Sequence, residues 1–168
     1  MALPSDRLNA DSRTVSAQPT KATTARRAAP DQTAIDEAMI TNLVHTFYGR
    51  ARLHPRLGPV FERQLGSDWD AHMAKLVDFW SSIMLSSGRY RGRPIPAHAR
   101  IADLKPDDFD VWLGLFRAVA HETCPPGAAA AFVDKAERIA ASMMLLMATE
   151  RGSEWLPPAH LRVMLGQE

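Results

Sequence analysis

The feature that most limits the possible folds is a repeated apolar stripe at helical spacing, with proline-containing breaks between the stripes. Between residues 33 and 150, large apolar side chains recur at intervals of three and four residues, and Pro55, Pro94, Pro106 and Pro125 lie in the breaks. Apolar residues at this spacing share one face of an α-helix, and proline interrupts a helix interior. No segment shows the apolar and polar alternation of a half-buried strand. The pattern therefore predicts an all-α domain with four long helices.

Composition divides the 168-residue chain into three segments. Residues 1–32 are rich in Ser, Thr, Ala and Pro and have almost no large apolar side chains, which predicts a disordered N-terminal extension. Residues 33–150 form the predicted helical domain, and residues 151–168 form a C-terminal tail. At 46% hydrophobic content, a chain of this length can bury one sizeable core.

Charge and cysteine content argue against several classes of protein. Residues 1–32 carry five Lys or Arg and three Asp, which leaves 15 basic and 16 acidic residues and no polyanion-binding excess in the helical domain. Cys124 is the single cysteine, so an intramolecular disulfide and a cysteine-based metal cluster are excluded. No apolar run approaches the ~18 residues of a membrane span, and no secretory signal pattern is visible. We expect a cytoplasmic protein without membrane or nucleic-acid partners.

Two histidines flank the helix predicted from residue 70 onward. His98 follows Pro96, on a short stiff turn of the kind that proline favours at the first helical position. His72 lies on an apolar stripe predicted to face the core, which continues through Leu76, Phe79 or Trp80, and Ile83. Each imidazole fits two interpretations, a hydrogen-bonded structural residue and a ligand of a metal or heme. Spacing alone does not choose between them.

Two polar aromatic residues also lie within predicted apolar stripes. Tyr48 belongs to the first long helix, and Trp112 belongs to the helix that Pro106 opens. A buried hydroxyl or indole N–H needs a partner, which is either a structural hydrogen bond or a bound ligand. The sequence also lacks an HExxH motif, a Glu-x-x-His pair and a glycine-rich phosphate loop, so zinc hydrolases, di-iron bundles and nucleotide-binding sites find no support.

Several separated motifs, taken in order, resemble the group III truncated hemoglobins. They are FYGRARLHPRLGPVF at 47–61, WDAHMAKLVDFWSSIML at 69–85, YRGRP at 90–94, PAH at 96–98 and FDVWLGLF at 109–116. The resemblance covers residues 35–147 and implies a truncated globin, a two-over-two helical sandwich that encloses heme b. It implies a protein that binds dioxygen, nitric oxide and carbon monoxide. A nitric oxide dioxygenase or peroxidase-like activity would need an external reductase as partner.

The resemblance also implies roles for individual residues. His98 is the expected proximal ligand of the iron, and Tyr48, His72 and Trp112 form the expected polar distal set. The expected apolar walls of the heme pocket are Phe61, Leu76, Phe79, Ile95, Ile101 and Met143. The expected partners of the heme propionates are Lys75, Tyr90 and Arg93. No side chain is expected to act as a catalytic residue.

Two alternatives stay open beside the globin hypothesis. One is a heme-free, globin-like sensor or regulatory module in which the histidines are structural, and heme absorbance separates it from a heme protein. The other is an adaptor that contacts a nucleic acid or membrane through Arg26 and Arg27 of the basic extension. That adaptor would require salt-sensitive binding by residues 1–32.

Overall fold

A computed structural model describes residues 34–166, which fold into helices joined by short loops. Within this range the α-helices are α1 Glu37–Leu53, α2 Gly58–Leu65, α3 Trp69–Leu85, α4 Pro94–Ala99, α5 Pro106–Thr123, α6 Pro126–Arg151 and α7 Ala159–Met164. Short 3₁₀ turns at Gly66–Asp68 and Ser153–Trp155 precede α3 and α7. This part of the chain contains no strand, and none of its helices is long and apolar enough to cross a membrane. The predicted N-terminal extension, residues 1–32, lies outside it.

The ends of α1 follow from the local sequence. Asp36 caps the first turn, where its carboxylate accepts a hydrogen bond from the Met39 N–H at 2.8 Å. Pro55 follows the last turn, so the helix ends at Leu53. Helix α2 then starts directly against α1, and a Cβ at Gly58 would collide with the Arg52 carbonyl. Glycine at this position therefore permits the tight corner between the two helices.

Four long helices form two packed pairs. Helix α3 packs on α1, α5 packs on α6, and contacts between α1 and α5 join the pairs. The short helices α2, α4 and α7 cover the edges, because α2 contacts α1 while α4 and α7 contact α6. The predicted C-terminal tail includes α7, whose Leu161 is buried against the core.

Aromatic side chains fill the centre of the domain. Phe116 stacks between two indoles, at 5.0 Å and 18° from Trp80 and at 5.2 Å and 15° from Trp112. Phe47 meets the Phe116 ring edge-on at 5.1 Å. Trp80 is 1% exposed, and its indole N–H has no hydrogen-bond partner among the described residues. Burial of each large apolar side chain contributes about 1.5–3 kcal/mol to stability, so this cluster is a major source of folding free energy.

Helix α3 presents two neighbouring faces to different surroundings. The buried positions on this helix are Met73, Trp80 and Ser81. The stripe predicted to face the core is only half-buried, and it consists of His72, Leu76, Phe79 and Ile83. Of the two alternatives predicted for the third position of the stripe, Trp80 is buried and Phe79 is half-buried, and Leu76 and Phe79 still pack against the core. The buried face of α3 is therefore displaced by about one position from most of the predicted stripe. The half-buried face is the one that borders the candidate site.

Candidate functional site

A cavity of about 200 Å³ lies between α3, α4 and α6. Its wall is formed by Phe79, Ile83, Pro94, Lys135, Arg138, Ile139 and Ser142. The α3 and α4 segments that border it also carry the two histidines singled out in the sequence. The lining itself consists of apolar side chains, Ser142 and the two cations Lys135 and Arg138, and neither histidine is part of it.

His72 and His98 belong to the same region. Burial lowers the pKa of His72, and the nearby charges of His98 and Lys75 lower it further. The effect of His98 on the pKa of His72 is electrostatic and acts between two different helices. The lowered pKa keeps His72 neutral at pH 7, and a neutral imidazole has one N–H donor and one acceptor nitrogen.

His98 has one ring nitrogen engaged and one available. Its half-buried imidazole lies on α4, and Nδ1 is 2.7 Å from the carbonyl oxygen of Pro94. Because a carbonyl can only accept, Nδ1 carries a hydrogen and donates it. Pro94 and Pro96 stiffen the first turn of α4. The helix therefore presents an imidazole whose Nδ1 is engaged by its own backbone, and Nε2 is the other ring nitrogen.

Tyr48 supplies a buried hydroxyl close to His72. Its side chain is 6% exposed, and its ring lies edge-on to Phe61 at 5.8 Å and to His72 at 6.3 Å between centroids. Burial raises the pKa of Tyr48 well above its ordinary value, and a hydrogen bond from Trp112 partly offsets this rise. The phenol therefore keeps its hydrogen at physiological pH and can act as a donor.

Trp112 is held in place by the aromatic cluster. It is half-buried on α5, stacks on Phe116, and meets Phe47 edge-on at 5.3 Å. Its indole can only donate, so in its hydrogen bond with Tyr48 the phenol oxygen is the acceptor. The lone pairs of Tyr48 are thus partly occupied, while its hydrogen is left to donate to a third group. Tyr48 thus has both His72 and Trp112 as neighbours, and we call these three residues the polar cluster.

The expected apolar walls come from four different elements. Phe61 on α2 contacts Tyr48 and Trp69, and Met143 on α6 is 6% exposed. Leu76 and Phe79 lie on the half-buried face of α3, and Ile101 is half-buried in the loop after α4. The side chain of Ile95 lies outside the described part of the structure. Of these residues, Phe79 directly lines the cavity.

The expected propionate partners have different surroundings. Lys75 and Arg93 are exposed, and Arg93 immediately precedes α4. Tyr90 is half-buried, with its ring edge-on to Phe79 at 5.1 Å. Its hydroxyl lies over Gly92, where a Cβ would collide with it. Any side chain at position 92 would therefore displace the Tyr90 ring.

Sequence reasoning missed two cations at the cavity, Lys135 and Arg138 of α6. A signal was present, because Lys135 lies four residues before Ile139 of a predicted apolar stripe and Arg138 lies three residues after Lys135. Arg138 also bonds the Asp134 carboxylate at 3.0 Å and the Met164 carbonyl at 2.5 Å. Lys135 is exposed and can place its ammonium at the cavity rim.

Sequence reasoning also missed the clamp that holds the loop between α3 and α4. Arg89 donates to both carboxylate oxygens of Glu37, at 2.8 and 2.9 Å, and to Asp78 at 2.8 Å. The buried Ser81 hydroxyl donates to the same Glu37 carboxylate at 2.6 Å. Arg89 and Glu37 are 52 positions apart, so no local sequence pattern predicts that they pair.

Within residues 34–166, no group of three or more His, Cys, Asp or Glu side chains is placed to hold a metal ion. Cys124 is buried, and burial raises the pKa of its thiol. The thiol is therefore mostly protonated at neutral pH.

Comparisons with known proteins give one relative in sequence and one in structure. The chain is 33% identical over 85 residues to the group 3 truncated hemoglobin ctb of Campylobacter jejuni, and the match covers 49% of this chain and 67% of that protein. The crystal structure of the group III truncated hemoglobin from Campylobacter jejuni matches with a TM-score of 0.67 and 26% identity, covering 71% of this chain and 97% of that one. No protein-family model matches the chain. The structural match confirms the predicted fold class, including the two-over-two arrangement of the long helices.

Proposed function

Because the chain belongs to the group III truncated hemoglobins, we propose that it binds heme b through His98 and reversibly binds dioxygen and other diatomic gases. Heme iron, when bound, supplies one open coordination position for a gas ligand. The side chains of this protein would bind the heme and determine which groups contact a gas ligand.

The observation that carries the proposal is the hydrogen bond from His98 Nδ1 to the Pro94 carbonyl, at 2.7 Å. A metal-bound histidine usually donates its second ring nitrogen to a carbonyl or carboxylate, which fixes the tautomer and raises the basicity of the ligating nitrogen. His98 has this arrangement within its own helix, so Nε2 is the nitrogen available to iron. Since a porphyrin provides four nitrogen ligands itself, a single imidazole is a sufficient protein ligand.

The side chains around His98 fit a flat, largely apolar group with two carboxylates at one edge. Phe79, Ile83 and Ile139 provide apolar contact surface near α4. Two cations that could pair with propionates, Lys135 and Arg138, line the cavity. Two more are exposed on the bordering segments, Lys75 on α3 and Arg93 just before α4. We propose that Lys75, Tyr90 and Arg93 bind the propionates, as the family resemblance implies, and that Lys135 is an additional candidate.

The polar cluster gives the gas-binding side its selectivity. Tyr48 is protonated and its oxygen accepts from Trp112, so its hydrogen can be donated to the terminal atom of a diatomic ligand. The neutral His72 can provide a second donor. Donors placed in a buried site stabilise ligands that carry partial negative charge, and dioxygen gains more from them than carbon monoxide.

We also propose turnover of nitric oxide or peroxide, with electrons supplied by an external reductase. The same two donors support this proposal, because they can stabilise charge that develops on a reacting ligand. A heme-free sensor or regulatory module is the competing function, and the spectrum described below separates it from a heme protein.

The first test is the visible spectrum of the purified protein and of three alanine variants. We expect a Soret band in the wild type, its loss in His98→Ala, and its recovery when free imidazole is added to that variant. His72→Ala should keep the band, because His72 is not needed to retain heme. His121→Ala is the matched control, since His121 is exposed at the far end of α5. A wild-type protein that stays colourless after heme addition would refute the proposal.

A further inference from the structure

Arg151 connects the end of the longest helix to the loop that follows His98. It is the last residue of α6, and its guanidinium donates a hydrogen bond to the Ile101 carbonyl at 3.0 Å. The Ile101 N–H in turn donates to the carbonyl of His98 at 3.0 Å. Ile101 therefore links Arg151 to the backbone of His98, because it accepts a hydrogen bond from the one and donates a hydrogen bond to the other.

The guanidinium of Arg151 is itself held by an aromatic ring. It lies 5.2 Å from the ring centroid of Trp155, within the range of a cation–π interaction. Trp155 is 5% exposed and meets Phe109 of α5 edge-on at 6.4 Å. Because both sides of the arginine are fixed, the donor reaches the Ile101 carbonyl from a rigid support. The segment after α6 thus contributes to the surroundings of His98.

Helix α4 needs such an external support. It spans six residues, too few for a helix that is stable in isolation. The residues on both sides, Ser86–Arg93 and Arg100–Lys105, have no regular helix of their own. The clamp at Arg89 fixes the segment before α4, and Arg151 fixes the loop after it. The direction of the His98 ring therefore depends on a contact at each end of the short helix.

We propose that Arg151 and Trp155 act as a positioning pair that sets the orientation of His98 and so tunes its bond to heme iron. This inference rests on the proposed function, because it assigns the pair a role only if His98 binds heme. The arginine acts through the Ile101 carbonyl and the α4 backbone and contacts neither heme nor gas. A small rotation of the imidazole weakens its overlap with the metal orbital, so the pair affects both bond strength and heme retention.

The test compares Arg151→Gln with wild type by resonance Raman spectroscopy of the ferrous, ligand-free protein. We expect the iron–histidine stretching band to shift and broaden in the variant, and heme to transfer to an acceptor protein roughly 10-fold faster or more, as for lost second-layer contacts at other metal sites. Arg151→Lys should restore part of the wild-type band position, because an ammonium keeps one donor. Trp155→Phe should move the band in the same direction by a smaller amount, since phenylalanine is the weaker cation–π partner.

Arg162→Gln is the matched control. Arg162 lies in the same C-terminal segment and also donates to a backbone carbonyl, that of Pro157 at 3.4 Å, without a link to the loop after His98. We expect its band and heme transfer rate to equal those of the wild type. If Arg151→Gln does not fold, Trp155→Phe decides the test.

Failure of the positioning role and failure of the proposed heme binding give different results. A protein that binds heme and carbon monoxide normally, and whose iron–histidine band is the same in wild type, Arg151→Gln and Trp155→Phe, overturns the positioning role and leaves the proposed function intact. An equal shift in the Arg162→Gln control also overturns it, because the effect would then be a general loosening of the segment. A wild-type protein without heme overturns the proposed function itself.

Discussion

At the scale of single residues, the proposed function assigns the most direct effect on a gas ligand to the hydroxyl of Tyr48. Its burial raises its pKa and so keeps its hydrogen, while Trp112 occupies its oxygen. We expect Tyr48→Phe to accelerate dioxygen dissociation roughly 10- to 100-fold, since a hydrogen bond to a partly charged group contributes ~1.5–3 kcal/mol. Stopped-flow displacement of dioxygen by carbon monoxide measures this rate.

The chain offers a matched control, because it contains two tyrosines. Tyr90→Phe removes the same atom from a half-buried ring beside Gly92, at a distance from the polar cluster. Because Tyr90 is a proposed propionate partner, its removal should affect heme retention, while the heme-loaded variant should release dioxygen at the wild-type rate. An unchanged rate in Tyr48→Phe would show that Tyr48 is a structural core residue.

How far single residues could be predicted depended on where their partners lie in the sequence. The hydrogen-bond acceptor of His98 is Pro94, four residues earlier, and a stiff proline turn could be inferred locally. The hydrogen bond between Tyr48 and Trp112 joins positions far apart in the chain, and spacing left their roles open. Family resemblance grouped them where periodicity could not, and their roles toward a ligand stay predictions.

At the scale of elements, the loop before α4 is held by a charge cluster that responds to pH. A hydrogen bond from Arg89 lowers the pKa of Glu37 most, and one from Ser81 lowers it further. The folded chain therefore releases the Glu37 proton more readily than the unfolded chain does. The resulting stabilisation is fully present above the ordinary pKa of 4.5 and is lost as pH falls through the lower folded-state value.

We expect Glu37→Gln to lower the free energy of unfolding at pH 7 and to flatten its dependence on pH below 5. Urea unfolding of wild type and variant between pH 3 and 7 measures both effects. Glu62→Gln is the control, because Glu62 is exposed and approaches Arg52 only at 3.7 Å. Parallel pH curves for Glu37→Gln and wild type would contradict the assigned clamp.

The elements themselves were largely predictable, and their faces were less so. Pro55 and Pro106 marked the end of α1 and the start of α5 correctly. The buried face of α3 was predicted correctly at Trp80 and displaced by about one residue elsewhere, because apolar side chains occupy two adjacent faces of this helix. A half-buried wall beside a site and a fully buried core produce the same periodicity, and the difference arises only when the other helices pack.

At the scale of the whole molecule, one buried ion pair ties the corner after α1 to the start of α5. The Asp108 side chain is 1% exposed, and it accepts a hydrogen bond from Arg56 Nη2 at 2.8 Å and one from the Lys105 N–H at 2.8 Å. The sequence suggested only that Asp108 favours the helix dipole. Its second role, as partner of Arg56, joins residues 52 positions apart.

We expect Asp108→Asn to destabilise the domain by about 2–3 kcal/mol. Breaking a buried ion pair costs ~3–5 kcal/mol, and the cost is lower here because Arg56 is 40% exposed and can be rehydrated. Chemical denaturation of both proteins at pH 7 provides the value. Asp134→Asn, which removes an exposed pair with Arg138 one helical turn away, should change stability by ~0.5 kcal/mol or less. Equal losses in both variants would rule out a special role for Asp108.

The fold as a whole was predictable because helical periodicity and family resemblance agree along most of the chain. The two-over-two sandwich is confirmed by a structural match that covers 71% of the chain. The long-range ion pairs that fix its corners were not predictable, since the sequence around a charged residue does not indicate which distant residue it pairs with.

The stacked, unpartnered Trp80 also gives the domain an internal optical probe. An indole that is 1% exposed and lacks a hydrogen-bond partner relaxes little after excitation, so its fluorescence lies at short wavelength. Trp155 is also buried, whereas Trp69 and Trp112 are half-buried. Energy transfer from an excited indole to bound heme would quench this emission, and Trp80 lies on the helix that borders the candidate site. Binding or release of heme would therefore change the intensity of the protein's own ultraviolet emission.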